Sequence, residues 1–143
     1  MSNKETIRTI EQKRAEFAFK KVKEAKDNNI AGDYKSHVKK LPMLVKTNGL
    51  GQSLAFIKSK QGSNKAYEKL YKDISDWVSK EDPKKTIILN NGEDLLEKLI
   101  SNQTDTYTYK AVTVEVLAFL NWLRRFVDGE IKDDRAKDDG LDD

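Results

Sequence analysis

The passage at residues 41–60, LPMLVKTNGLGQSLAFIKSK, most strongly constrains how this chain folds. It contains two apolar runs separated by Asn48-Gly49, a pair of residues that favours a turn. Gly49 readily adopts the positive φ with which many helices end. Pro42 lies inside the first run and predicts a kink or a restart there. The passage therefore predicts two helices that meet at a tight corner, with lysines on both sides of it.

Apolar residues recur at helical spacing through most of the rest of the chain. The clearest stripe consists of Tyr67, Leu70, Tyr71, Ile74, Trp77 and Val78. Weaker patterns predict helices at about residues 6–29, 33–48, 50–60, 93–101 and 105–127, the second of them capped by Asp33. Between the helix of the clearest stripe and the helix at 93–101, residues 80–91 form a connection. Residues 86–89 within it form either an extended piece or an apolar plug. We therefore expect an all-α fold, a compact bundle of about five to six helices.

The same spacing predicts which side chains face inward. In the third helix it places Leu54, Phe56 and Ile57 in the core, while Gly51 and Ala55 permit a close backbone approach. In the fifth helix the inward residues are Leu95, Leu96, Leu99 and Ile100. The last helix is expected to pack against the first.

The distribution of charge is uneven. The formal net charge is +3, but residues 1–72 carry 17 Lys and Arg against 7 Asp and Glu, whereas residues 128–143 carry 3 against 8. The length of 143 residues suits one helical domain at residues 1–128, followed by a flexible acidic tail at residues 129–143. A cationic first half predicts a surface that faces a polyanion.

The residue inventory disfavours several classes of protein. The absence of cysteine excludes disulfides and thiol nucleophiles and is compatible with the cytosol. No apolar stretch approaches the ~20 residues that a membrane-spanning helix needs, so we expect no membrane partner and a cytoplasmic location. His37, the one histidine, lies among lysines that disfavour its protonation, and we expect it on a helix surface.

No motif points to catalysis. Paired acids such as Glu93-Asp94 lack the spacing of a metal-binding helix. The segment Gly49-Leu50-Gly51 has neither a preceding strand nor the ending of a phosphate-binding loop, so a corner between helices is the simpler interpretation. We therefore expect no catalytic residue, no metal and no cofactor.

The cations are the best candidates for a functional surface, because long basic side chains lie along apolar surface and still present charge to a phosphate backbone. Those of the first three helices are Lys13, Arg14, Lys20, Lys21, Lys39, Lys40, Lys46, Lys58 and Lys60. Two alternatives remain open: a solvated lysine face, and a helical adaptor whose basic half docks an acidic partner protein. Arg124-Arg125 suits phosphates and the carboxylates of a partner equally well.

Several segments, taken in order, resemble a known family. They are Leu41-Pro42, Asn48-Gly49-Leu50-Gly51-Gln52, Leu54-Ala55-Phe56, and residues 58–60 and 117–126. Together with the helical pattern and the small basic chain, they resemble the small subunit of the type III-B (Cmr) CRISPR ribonucleoprotein effector complex. The resemblance covers about residues 13–127 and contains no catalytic signature.

This resemblance implies a helical subunit without nuclease activity, several copies of which stack as a minor filament beside the backbone subunits that hold the crRNA. The implied partners are crRNA and target RNA, the backbone and large subunits, and further copies of the chain. We expect its basic face to contact RNA phosphates without reading sequence. The expected RNA-facing residues are the nine cations above with Asn48 and Gln52. The expected subunit contacts are Asn121, Arg124 and Arg125.

Overall fold

Six α-helices make up the part of the chain that the structure describes. The structure is a computed structural model, and it describes residues 3–132, with side chains from residue 9 onward. The helices are α1 (Asn3–Asp27), α2 (Ala31–Asn48), α3 (Leu50–Lys60), α4 (Lys65–Asp76), α5 (Leu95–Ile100) and α6 (Thr106–Glu130). A π-helical turn, Trp77–Glu81, continues α4. No strand occurs within residues 3–132, and the predicted all-α fold is confirmed.

The last helix, α6, packs against α1 and α2. Its predicted apolar stripe is buried along the whole helix and comprises Val112, Val116, Phe119, Leu120, Leu123 and Val127. The rings of Phe17, Trp77 and Phe119 pack together with centroids 5.6 to 5.8 Å apart. The predicted contact between the first helix and the last is therefore present, and aromatic rings occupy much of it.

Side chains define where three of the helices begin. Asn64, Asp94 and Asp105 accept hydrogen bonds from amide N–H groups in the first turns of α4, α5 and α6. Because first-turn N–H groups have no partner inside a helix, these caps stabilise the observed starting points.

The start of α2 differs from the prediction. Asp33 is not its N-cap, because α2 begins directly after Ile30, which supplies no capping side chain. The reason lies at the end of α1, where Asn29 has a φ of 61°. The Ile30 N–H donates to the Ala25 carbonyl at 3.1 Å, and the Asn29 N–H donates to the Lys26 carbonyl at 3.3 Å. This Schellman termination reverses the chain at once, so α2 starts without a linker.

Two apolar side chains predicted to be buried are exposed, because Phe56 is 40% and Ile100 66% accessible. The buried apolar residues of α3 follow an i, i+4, i+7 stripe, and Phe56 falls outside it. Ile100 is the last residue of α5 and points away from the side on which Leu99 is buried. Ala55 is exposed too and takes no part in close packing.

Pro42 does not interrupt α2, which is helical from one end to the other. A proline removes one N–H from the helix ladder, but Val38, Leu41 and Val45 on either side of it are buried and hold the segment in place. The connection after α4 packs as an apolar plug, with Ile87 buried.

The C-terminal helix ends later than predicted, at Glu130, and Ile131 is buried. The ammonium group of Lys35 donates to the Ile131 carbonyl at 2.9 Å, which ties this end to α2. Residues 133–143 of the predicted acidic tail lie outside the described residues. None of the helices within residues 3–132 is both long enough and apolar enough to cross a bilayer.

Candidate nucleic-acid interface

The corner between α2 and α3 is held against the start of α6. Gly49 has a φ of 89°, the positive value expected of a glycine that ends a helix. Its carbonyl accepts hydrogen bonds from the amide of Ser53 at 3.2 Å and from the Ser53 hydroxyl at 2.8 Å. The amide of Gly51 donates to the Tyr109 hydroxyl at 2.7 Å. A methyl group at Gly51 would lie 3.0 Å from that hydroxyl, so the expected close approach is present.

Exposed cations lie on both sides of this corner. Lys40 and Lys46 of α2 and Lys60 of α3 are exposed and form no ion pair within residues 9–132. Asn48 and Gln52, immediately before and after the corner, are exposed as well. We call these five residues the corner surface. Among the described residues, no carboxylate holds its ammonium groups, so they are free to contact a phosphate.

Two other lysines of the expected RNA-facing set, one in α2 and one in α3, already form ion pairs with carboxylates. Lys39 Nζ lies 3.1 Å from an oxygen of Asp128, and Lys58 Nζ lies 3.0 Å from an oxygen of Asp94. Burial alone raises the pKa of Asp94, but hydrogen bonds from Lys58 and from the Tyr71 hydroxyl outweigh it and lower the pKa below its usual value. Either lysine must exchange a carboxylate for a phosphate to bind RNA.

Three of the four expected RNA-facing cations of α1 line two separate hollows. Lys13 and Lys20 line a hollow of about 230 Å³ together with two glutamates. Lys21 lines an open groove of about 670 Å³ and pairs with Glu24 at 3.3 Å. No corner-surface residue lines either hollow. The acids in both hollows reduce the local positive charge.

The larger groove also contains a buried carboxyl, Asp73. It accepts a hydrogen bond from the Tyr34 hydroxyl at 2.6 Å and lies 3.1 Å from the ammonium group of Lys69. Burial raises the pKa of Asp73 to about 6, against the opposing effects of Lys69 and Tyr34. Lys69 contacts Glu24 as well, at 2.8 Å. The groove is therefore of mixed charge, and its acids hold the nearest ammonium groups.

Arg14 is not at the surface, although the sequence predicts it to face RNA. The residue is 7% exposed. Its guanidinium donates to Glu115 at 2.7 and 2.9 Å and to Glu11 at 2.6 Å. Because these donors are occupied by carboxylates within the protein, we exclude Arg14 from the candidate interface. Nothing in the local sequence pattern indicates a partner so distant along the chain.

The residues expected to contact other subunits all lie on the exposed side of α6, and they are Asn121, Arg124 and Arg125. Beside them the rings of Trp122 and Phe126 stack with centroids 5.7 Å apart. Phe19 of α1 meets Phe126 edge-on at 5.2 Å. The structure thus adds a half-exposed aromatic cluster to this region, and the subunit contacts stay a prediction.

His37 is buried rather than placed on a helix surface, so that prediction is wrong. Its ring stacks on Tyr67, with centroids 3.5 Å apart and 11° between the ring planes. Neither imidazole nitrogen has a hydrogen-bond partner among the described residues. Burial lowers the pKa of His37, and the charge of Lys40 lowers it further. The Asn64 side chain and the charge of Asp33 oppose these effects but do not outweigh them, so the neutral form of the imidazole is favoured.

Sequence reasoning missed a contact between two aromatic rings beside Lys60 of the corner surface. The ring of Phe56 meets Tyr67 edge-on, with centroids 5.9 Å apart and 88° between the planes. The ammonium group of Lys60 lies over the Phe56 ring, 5.8 Å from its centroid. The i, i+4 spacing of Phe56 and Lys60 along α3 is the signal that could have revealed this pair.

Within the described residues, these features define a helical protein with exposed lysines that form no ion pair, around a corner held by hydrogen bonds. A family model described as CRISPR-associated protein (Cas_Cmr5) matches residues 10–130. The chain therefore belongs to the Cmr5 family of CRISPR-associated proteins, and the resemblance found in the sequence is confirmed.

A relative in sequence and a solved structure both come from Thermus thermophilus. The CRISPR system Cmr subunit Cmr5 of this organism is 31% identical over 127 residues, which is 89% of this chain and 100% of the relative. The X-ray crystal structure of a Cmr5 family protein from the same organism has 30% sequence identity and a TM-score of 0.67. That match covers 85% of this chain and 97% of the other. The likeness therefore extends over nearly the whole length of both proteins.

Proposed function

We propose that this chain is a non-catalytic, RNA-binding structural subunit of a type III-B (Cmr) CRISPR ribonucleoprotein complex. The family supports the assembly, since the Thermus thermophilus relative is named as a subunit of the Cmr system. The corner surface carries the proposal of RNA contact: Lys40, Lys46 and Lys60 are exposed and have no carboxylate partner in the described part of the chain. Lysines in this position bind phosphates by charge alone, which suffices where base pairing with a guide supplies sequence specificity.

Each part of the corner surface has a role in this proposal. Lys40, Lys46 and Lys60 contact phosphate oxygens of the target RNA or of its duplex with crRNA. Asn48 and Gln52 donate hydrogen bonds to the same backbone. Because the corner is already fixed by its hydrogen bond to α6, little backbone entropy is lost when RNA binds.

The remaining expected cations have secondary roles. Lys13, Lys20 and Lys21 extend the contact along α1, where nearby glutamates weaken the attraction. Lys39 and Lys58 take part when they exchange their carboxylates for phosphates. The backbone and large subunits, and further copies of this chain stacked as a filament, meet the exposed side of α6. The contacts there are Asn121, Arg124 and Arg125.

The proposal is tested by reversing charge in the assembled complex. We expect the triple variant Lys40→Glu, Lys46→Glu and Lys60→Glu to assemble normally but to retain target RNA at least about tenfold less well, since three attractions become repulsions. A control variant carries Lys26→Glu, Lys85→Glu and Lys110→Glu. It changes net charge equally with exposed lysines outside the corner surface. Its retention of RNA should stay close to that of the native complex.

The same experiment separates RNA binding from the adaptor alternative. If the corner surface instead docks an acidic protein, the triple variant fails to join the complex, and RNA bound per assembled particle does not change. Equal losses for both triple variants would mean that only net charge matters. Either outcome contradicts a defined RNA-facing surface. Cleavage of RNA by the purified chain, lost on His37→Ala, would contradict the non-catalytic role.

A further inference from the structure

We infer that Phe56 is a stacking site for an unpaired nucleobase of single-stranded RNA, which adds a base contact to the phosphate contacts of the corner surface. This inference rests on the proposed function, because the lysines on either side are those proposed to hold the RNA backbone. The ring of Phe56 contacts a base, whereas the lysines of the corner surface contact phosphates.

The first observation is that Phe56 is the accessible member of a supported set of rings. We call His37, Tyr67 and Phe56 the ring stack. Tyr67 and His37 are 9% and 8% exposed, whereas Phe56 is 40% exposed. One face of Tyr67 is covered by His37 at 3.5 Å, and Phe56 stands perpendicular to Tyr67. Phe56 therefore packs against the buried ring of Tyr67, which His37 covers on one face, while part of the Phe56 ring remains exposed.

The second observation is the charge around the ring. Lys60 lies over Phe56 at 5.8 Å and has no ion pair within residues 9–132. Lys40 is close enough to His37 to lower the pKa of the imidazole, and it is also exposed and has no ion pair with any described residue. The helix that carries Phe56, with the sequence LGQSLAFIKSK, contains no acidic residue. A base that stacks on Phe56 thus brings its phosphates toward the ammonium groups of Lys60 and Lys40.

The third observation concerns the buried imidazole. His37 is more than nine-tenths buried, and neither of its nitrogens has a hydrogen-bond partner in the described part of the chain. A buried polar group without a hydrogen-bond partner is costly, and the Asn64 side chain, which raises the pKa of His37, is the polar group that offsets part of this cost. Here its ring supports Tyr67, and through Tyr67 it positions Phe56. His37 is thus a positioning residue for the stacking site.

This combination favours a nucleobase over an apolar protein segment. An aromatic ring beside cations is the recurrent arrangement for single-stranded nucleic acids, since every base has a face that stacks and every nucleotide has a phosphate. A protein segment of apolar character gains nothing from unpaired lysines at the rim of its site. Base-paired RNA keeps its bases stacked on each other and offers no free face to Phe56.

The test measures binding of the full chain to two single strands of RNA that have equal length, one of them with abasic sites throughout. We expect the native chain to bind the strand with bases at least about fivefold more tightly. This factor is the lower end of the affinity that is gained when one base stacks on an aromatic ring. Phe56→Leu should bind both strands equally, and Phe56→Trp should restore the preference. A fluorescent adenine analogue in the strand should be quenched by the native chain and not by Phe56→Leu.

Phe19 provides a matched control. It is 38% exposed, and Lys23 lies over its ring at 5.7 Å, much as Lys60 lies over Phe56. Phe19 is not part of the ring stack, so Phe19→Leu should leave the preference for the strand with bases unchanged. A loss caused equally by both leucine variants would show a general effect of exposed aromatics and overturn the inference.

The outcomes separate this inference from the proposed function. If the charge reversal of Lys40, Lys46 and Lys60 weakens binding of both strands while Phe56→Leu changes nothing, the stacking site is overturned and the phosphate surface stands. If Phe56→Leu weakens only the joining of the chain to other subunits, the ring is a protein contact and the inference is overturned. Failure of the native chain to bind either strand also overturns it.

Discussion

Arg14 of α1 and Glu115 of α6 form a buried pair across 101 residues of sequence, with hydrogen bonds of 2.7 and 2.9 Å. Glu115 accepts a further bond from the indole N–H of Trp77 at 2.9 Å and lies 2.7 Å from Lys84 Nζ. Burial alone raises the pKa of Glu115, but the bonds from Arg14, Lys84 and Trp77 outweigh it and lower the pKa. One carboxylate therefore links α1, the end of α4, the following connection and α6.

We expect Glu115→Ala to lower the free energy of unfolding by about 3–5 kcal/mol, because it leaves a buried guanidinium without its main partner. Urea denaturation followed by circular dichroism measures the effect. Glu16→Ala, an exposed position on α1, is the control and should change the free energy by less than about 0.5 kcal/mol. Similar values for the two variants would show that the pair contributes nothing beyond surface charge.

The contact between Gly51 and Tyr109 predicts a second loss of stability. In Gly51→Ala the new methyl lies 3.0 Å from the Tyr109 hydroxyl and 3.6 Å from Ile100, so Tyr109 and the corner must move apart by a few tenths of an ångström. We expect a loss of about 1–3 kcal/mol, and the same variant should weaken RNA retention because the corner surface moves.

Gly32 is the matched control for that substitution. An added Cβ at Gly32 of α2 meets nothing within 4 Å. Gly32→Ala should therefore be neutral or stabilise the protein by up to about 1 kcal/mol. A stable Gly51→Ala variant with unchanged melting would mean that the corner is not held by close packing.

Asp73 predicts a dependence of stability on pH. Burial raises its pKa from the usual 3.8 to about 6 in the folded protein. Between these values the unfolded chain ionises first and binds fewer protons than the folded one, so the contribution of Asp73 to stability falls as pH rises from about 4 to about 6. Asp73→Asn removes this titration while keeping an acceptor for the Tyr34 hydroxyl.

Chemical denaturation of native protein and Asp73→Asn between about pH 4 and pH 7 checks this sign. The stability of the native protein should decline relative to that of the variant as pH rises. Both proteins share the other carboxyl groups, so the titration of those groups cancels in the difference. Parallel curves, or a relative gain for the native protein, would refute the raised pKa.

The sequence was sufficient for features that depend on local pattern. The stripe of α6 is buried because its apolar residues repeat at helical spacing, and the corner at Gly49 is positioned by a residue that tolerates positive φ. Contacts between distant residues left no such pattern. Nothing near Arg14 indicates Glu115, and nothing near His37 indicates the ring of Tyr67. The helix α3 is short and has apolar residues on two sides. Its pattern therefore predicted that Phe56 is buried, although it is exposed.

The surface charges show the same limit. Lys39 and Lys40 are adjacent and chemically identical in the sequence, yet only Lys39 meets Asp128. Which lysines remain free is decided by where acids from other helices arrive, and that depends on the packing of the whole chain. Sequence reasoning could therefore supply the set of cations but could not sort the paired from the unpaired.

The salt dependence of RNA binding tests the role of the corner surface most directly. The measurement is the logarithm of the association constant of the assembled complex for target RNA, plotted against the logarithm of salt concentration. Each phosphate contact contributes about 0.7 to the slope for a single strand, so replacing Lys40, Lys46 and Lys60 by glutamine should make the slope shallower by about two units. An unchanged slope would show that these ammonium groups do not contact RNA phosphates.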